Sequence, residues 1–185
     1  MTATTTAPRT RRRTVVASAA AAVVVIALLA AASLSWWSRP DAFGGWDESY
    51  SWSGETQVGR TMNVGLTAGA EPDGPITTRR IRPVVPVNTA DADIELVVCT
   101  RGAGGTTLGS SSEPLPDAET CPEVRPLDDA GDVDWSSETV VARVTPRRAG
   151  VVQLAGVEVT YTRDAKHLWQ SGSERAGGGS RLTVP

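Results

Sequence analysis

The 185-residue sequence is poor in the side chains that carry most protein chemistry. It has a single histidine, His167, a single lysine, Lys166, one phenylalanine and two methionines. A Ser-His-Asp arrangement needs a base placed and oriented by two partners. Serines and aspartates are too common here to single out partners for His167. A zinc site built on imidazole draws on further imidazoles or on thiolates, and two cysteines that pair with each other supply none. No catalytic residue, cofactor or soft-metal site is therefore expected.

Carboxylates are the remaining ligands. Asp128, Asp129, Asp132 and Asp134 crowd around Gly131. Calcium takes six to eight oxygens, but the spacing is not that of an EF-hand loop. The stretch Asp128–Asp134 reads as a solvated acidic turn, with calcium binding left open. Asp91, Asp93 and Glu95 read as a loop followed by the outward face of a strand. The glycine-rich stretch 102–107 lacks the G-K-[ST] ending of a P-loop and has no helix after it. It reads as a plain loop.

What the chain does have is one long apolar run. Arg9, Arg11, Arg12 and Arg13 precede twenty almost wholly apolar residues, Val15 to Leu34, and Trp36 and Trp37 follow. At about 1.5 Å per residue such a helix spans roughly the 30 Å hydrocarbon core of a bilayer. Arginines stay on the cytoplasmic side and indoles favour the far headgroup interface, which describes an N-in, C-out signal anchor. The competing reading is a cleavable signal peptide, with Ala30, Ala31, Ala32 and Ser33 as the cleavage region. The run is longer than the usual h-region, which favours the retained anchor. The expected plan is a cytoplasmic basic tail (1–14), a transmembrane anchor (15–37) and a juxtamembrane tether (38–54). An extracytoplasmic domain (55–185) follows. Membrane lipid is then a partner through residues 15–37.

Beyond the anchor, fourteen basic residues stand against all twenty-one acidic ones, a formal charge of about −7. Nucleic acid is held mainly by Lys and Arg, so it is not an expected partner. Cys99 and Cys121 both lie past the anchor, and an even pair in an oxidising compartment reads as one disulfide. Closing the Gly- and Ser-rich loop between them is worth roughly 3 kcal/mol on the chain-entropy model.

The rest of the chain alternates with the period of a strand. Val58, Met62, Val64 and Leu66 fall on one face, with Gln57, Thr61 and Asn63 on the other. Ile76–Val87 contains Pro83 and Pro86, which marks an edge strand or irregular crossing. Ile94, Leu96 and Val98 alternate towards Cys99, and residues 101–120 read as a loop that only the disulfide constrains. Val140, Ala142 and Val144 share a face. The clearest alternation is Val157-Glu158-Val159-Thr160-Tyr161-Thr162. Ala176–Ser180 has the composition of a linker or a long turn, and Leu182 and Val184 then close a last strand. Short strands between Pro/Gly turns, with no 3.6-residue period after the anchor, predict an all-β antiparallel sandwich.

Thr145–Gly150 through Leu154, Gly156, Val157, Val159 and Tyr161 resembles the late strands of an immunoglobulin-like sandwich. An arginine-rich start, one membrane segment and a domain ending in AGxxxLxGVxVxY is similar to actinobacterial membrane-anchored proteins of that plan. The resemblance implies an immunoglobulin-like β-sandwich and brings no catalytic residues with it. No tryptophan lies between Cys99 and Cys121, so this pair need not be the bridge between sheets.

Trp46, Tyr50, Trp52, Trp135 and Trp169 are the candidate binding surface, since exposed aromatics anchor sugars and protein partners. Packing in the core or at the headgroup interface is their other reading. The functional expectation is a non-enzymatic, membrane-anchored extracytoplasmic domain that binds a membrane protein, a cell-wall partner or a small ligand. The alternative is a carboxylate-based hydrolase of the cell envelope, whose catalytic pair needs a defined separation across a cleft.

Overall fold

The structure, a computed structural model, describes residues 22–35, 42–43, 51–67, 69–102, 109–116, 119–127, 131–163 and 170–185. The chain divides into two compact units, Met1–Arg39 and Pro40–Pro185. In the first, residues 22–35 are helical, as a run of Ala, Val, Ile and Leu without Gly or Pro permits. Its apolar side chains are exposed on every side, Val25 at 53% and Leu34 at 68%. Among the described residues no helix is long and apolar enough to cross a membrane. Residues 15–21 and 36–37 of the expected anchor lie outside the described residues.

Among its described residues the second unit is an all-β sandwich of ten strands in two sheets. Sheet A contains β1 (Ser51–Glu55), β10 (Gln170–Val184), β9 (Gly150–Arg163) and β3 (Thr77–Pro83) in that order, and β4 (Val87–Asn88) also pairs with β9. Sheet B runs β6 (Ser110–Ser111), β2 (Met62–Gly65), β8 (Glu138–Thr145), β5 (Asp93–Thr100) and β7 (Val124–Pro126). Pairing is antiparallel except for β1, which lies parallel to β10. Val157, Val159 and Tyr161, each 0% exposed, face inward with Leu154 and Val152 from sheet A. They meet Val64, Val98, Val140, Ala142 and Val144 from sheet B. Burying each such side chain contributes about 1.5–3 kcal/mol. β3 with its closing Pro83 is an edge, where a missing N–H costs no ladder bond.

Four local expectations change. Val58 is not on the β2 face; it sits in a turn and is 51% exposed, because β2 begins only at Met62. Ser51–Glu55, whose first four residues fall within the stretch read as tether, is hydrogen-bonded sheet. The 101–120 loop is held by backbone pairing as well as by the disulfide, since Ser110 and Ser111 pair with Val64 and Asn63. Ala176–Ser180 is neither linker nor turn but the middle of β10.

The glycines at that point serve a bulge. The β9–β10 register shifts between Ala176 and Gly179, leaving Gly177 and Gly178 against Gly156. Gly177 has φ +94°, and a Cβ there would stand 1.8 Å from the Leu66 carbonyl oxygen. That carbonyl, one residue beyond β2 of sheet B, accepts the Gly178 N–H at 3.1 Å. The bulge therefore binds one sheet to the other through backbone alone, which only glycine allows.

Candidate ligand groove

The outer face of sheet B changes character along its strands. Val97, Cys99, Cys121 and Val141 form a second buried cluster there, with Leu115 and Val124 packed against it. Cys99 and Cys121 are bridged, with Cα atoms 5.4 Å apart. The bridge draws the chain after β5 back over its own sheet and covers this apolar patch. Towards the other end of the same strands the outward residues turn polar.

Two rows cross three strands. Asn63 of β2, Arg143 of β8 and Glu95 of β5 stand side by side in register. In the next row Thr145 stands opposite Asp93, and its hydroxyl shares a 2.8 Å hydrogen bond with that of Thr61. Cross-strand neighbours of this kind have Cβ atoms about 4.5–5.5 Å apart. With Gly59 and Arg60 at one end and Ser112–Leu115 as a wall, the rows line a groove of about 700 Å³. That volume falls within the usual range for small-ligand sites.

Asn63 is 3% exposed. Its Nδ2 donates to the Glu113 carbonyl at 2.8 Å, while Oδ1 is buried and has no hydrogen-bond partner. The Nδ2 bond fixes the amide, because the reverse orientation would set two oxygens together. A buried acceptor left without a donor costs about 1–3 kcal/mol. Arg143 meets Glu95 at 3.9 Å, an ion pair too long for a hydrogen bond. Arg60 donates from Nη2 to Ser112 Oγ at 2.9 Å. Asp93 takes both Nε and Nη2 of Arg147, at 2.8 and 2.6 Å, and its hydrogen bond and charge raise the guanidinium above its ordinary pKa. Both partners of that pair are more than 60% exposed, so it adds little to stability.

A separate polar cluster closes one end of the core. Phe43, 6% exposed, meets Trp135 and Tyr161 edge-to-face at ring-centre distances of 5.0 and 5.9 Å. The Glu174 carboxylate takes the Ala42 and Phe43 backbone N–H groups at 3.0 and 3.1 Å and the Tyr161 hydroxyl. The Ala42 carbonyl accepts from the Asp73 N–H, and Arg163, 5% exposed, donates to Asp73. Burial, and after it the Glu174 carboxylate, raise the Tyr161 hydroxyl above its ordinary pKa. These groups are all occupied with one another, so the cluster seats a chain segment and offers no open site.

The sequence-level candidates are scattered. Trp135 lies in the core, its Nε1 donating to Thr78 Oγ1 at 3.1 Å, and Trp52 packs half-buried against the core. Trp46, Tyr50 and Trp169 lie outside the described residues, as do Lys166 and His167. Of the acidic stretch, Asp128 and Asp129 also lie outside them. Asp134 accepts from the hydroxyls of Ser136 and Ser137 and from the Ser136 N–H, which lower its pKa. Among the described residues no group of three or more His, Cys, Asp or Glu is placed to hold a metal ion.

Apart from Asp93 and Glu95, read as loop and outward strand face, the groove residues were not singled out by sequence. Alternation alone puts Thr61, just before β2, and Asn63 on it outward, Arg143 outward between Ala142 and Val144, and Asp93 and Glu95 outward on β5. That these three sets lie side by side is a matter of register between strands far apart in the chain.

No protein-family model, curated protein or solved structure matches the chain.

Proposed function

We propose that the protein is a non-enzymatic, membrane-anchored extracytoplasmic binding domain whose ligand site is the polar groove on the outer face of sheet B. The observation that carries the binding reading is Asn63 Oδ1, a buried acceptor without a donor in the wall of a groove large enough for a small molecule. The anchor reading draws on the apolar run Val15–Leu34 and on the helical residues 22–35, whose Val, Ile and Leu side chains are exposed all round. A helix apolar on every side is at home in a protein core or in lipid. Two sheets packed face to face, and the β9–β10 hairpin, support the immunoglobulin-like resemblance. The groove carboxylates Asp93 and Glu95 face Arg147 and Arg143, which supports binding over hydrolysis.

Fractionation of the full chain tests the anchor. The expected result is a membrane-bound protein released by detergent and not by high salt. A soluble form starting near Ser33 would replace the anchor with a signal peptide. For the groove, native mass spectrometry of chain extracted from its host membranes is expected to show a bound small mass. Thr61→Trp, which fills the groove, removes that mass. A mass retained equally by Thr61→Trp places the ligand elsewhere, and hydrolysis abolished by Asp93→Asn or Glu95→Gln would favour the hydrolase.

A further inference from the structure

We infer that the groove binds the carboxyl-terminal end of a peptide, with its free α-carboxylate on the guanidinium groups of Arg143 and Arg60. The terminal residue's own amide N–H donates to Asn63 Oδ1. The inference rests on the groove being the ligand site and adds which chemistry enters it.

The hydrogen-bonding inventory selects the ligand. Asn63 has spent a donor on Glu113, so what it still lacks is a donor for its oxygen. Its neighbour Arg143 carries five N–H donors and is 31% exposed at the side chain, and Glu95 at 3.9 Å is its ion-pair partner. Arg60 lines the same groove with one N–H on Ser112. A ligand that fits must therefore present an N–H or O–H beside an anion, at the spacing of cross-strand neighbours, about 5 Å. A residue that ends a peptide has its amide N–H and its carboxylate within that reach.

Charge narrows the choice further. Asp93, Glu95 and Glu113 line the groove along with the two arginines, so a dianion such as a phosphate monoester meets three carboxylates. A single carboxylate does not carry that second charge, and its planar oxygens match the guanidinium fork. The described lining contains no aromatic ring on which a sugar could stack. Pro114 and Leu115 in the wall give the terminal side chain an apolar neighbour.

Isothermal titration of the full chain in detergent micelles tests this, with N-acetyl-Ala-Ala as free acid and as C-terminal amide. The acid is expected to bind, and the amide to bind about tenfold more weakly or worse, as loss of a charged hydrogen bond implies. Arg143→Gln, at a partly exposed position, should weaken the acid by a similar factor and leave the thermal midpoint near that of the parent. Asn63→Leu should weaken acid and amide alike. Arg181→Gln, on the exposed face of sheet A, should change neither. Equal binding of acid and amide, or an unchanged affinity in Arg143→Gln, overturns the inference. If the N-acetylglucosamine dimer binds in an Asn63-dependent manner while the acid does not, the ligand class is wrong and the groove reading survives. If neither probe binds and Thr61→Trp leaves the native bound mass in place, both fall.

Discussion

Removal of the Phe43 ring is expected to release the segment that carries it. The Ala42 and Phe43 N–H groups donate to the Glu174 carboxylate, the Ala42 N–H is shared with the Tyr161 hydroxyl, and the Ala42 carbonyl accepts from the Asp73 N–H. Bonds to a charged group contribute about 1.5–3 kcal/mol and ordinary ones about 1. Burial of the ring adds about 2–3 kcal/mol. Against this stands the entropy of fixing two residues, about 1–2 kcal/mol each. The docking free energy comes out at about 5 kcal/mol, at the upper end of Phe→Ala losses in cores. Here the loss is capped, because a detached segment leaves its site to water instead of leaving a rigid cavity.

The measurement is thermal unfolding of the full chain in micelles, where Phe43→Ala should lower the midpoint by about 10–20 °C for a domain of this size. Glu174→Gln keeps one acceptor oxygen and turns the other towards an N–H as an amide donor, so a loss of about 2 kcal/mol is expected. Both changes act through the same docked segment, and their effects should not add. The double variant should unfold close to the worse single one. A Phe43→Ala midpoint within about 2 °C of the parent, or strict additivity, would refute the docking.

Other outcomes follow from single contacts. Gly177→Ala sets a Cβ 1.8 Å from the Leu66 oxygen at φ +94°; a loss of about 3 kcal/mol or more in denaturant unfolding is expected, and a parental midpoint would contradict the bulge. Cys99 and Cys121, 22 residues apart in sequence, should resist thiol labelling until reduced, and replacing both by alanine should cost about 3 kcal/mol. Tyr161 has a folded pKa raised by burial and Glu174. Its contribution is complete below about pH 10, the ordinary tyrosine value, and is lost as pH rises towards the folded value. Unfolding free energy should therefore fall above about pH 10, and Tyr161→Phe, which cannot ionise, should lack that part of the fall. Asp134 runs the other way. Its pKa is lowered by Ser136 and Ser137, so its share of stability is present above about pH 4 and shrinks on acidification; the acid limb of a midpoint-versus-pH curve should be shallower in Asp134→Asn.

Much of the sandwich was legible because burial on one face imposes a period of two. Val157, Val159 and Tyr161 point inward as their alternation requires, and so do Met62, Val64, Val140, Ala142 and Val144. Pro83 and Pro86 marked the edge of sheet A for lack of an N–H. Composition misled where a backbone device used residues typical of loops. Ala176–Ser180 reads as flexible until the Leu66 carbonyl is found against Gly177. Glu174 gave no signal either: a carboxylate on the core side of β10 is explained only by the two N–H groups and the hydroxyl it receives.

The groove was legible in parts and not as a whole, and the reason is physical. Each outward row draws on residues near positions 62, 94 and 144, so the sequence shows three solvated strand faces of unremarkable polarity. Pairing turns them into a surface, and the disulfide sets its limit. Bridged to Cys99, Cys121 holds the returning chain over Val97 and Val141. The wall from Ser112 to Leu115 stands where that apolar cover ends. A sheet face of this kind normally satisfies its polar groups with water. The wall removes water from Asn63 and satisfies only one end of its amide. The same loop that completes the fold thus leaves one acceptor short of a donor, and that shortage separates a binding groove from an ordinary wet face.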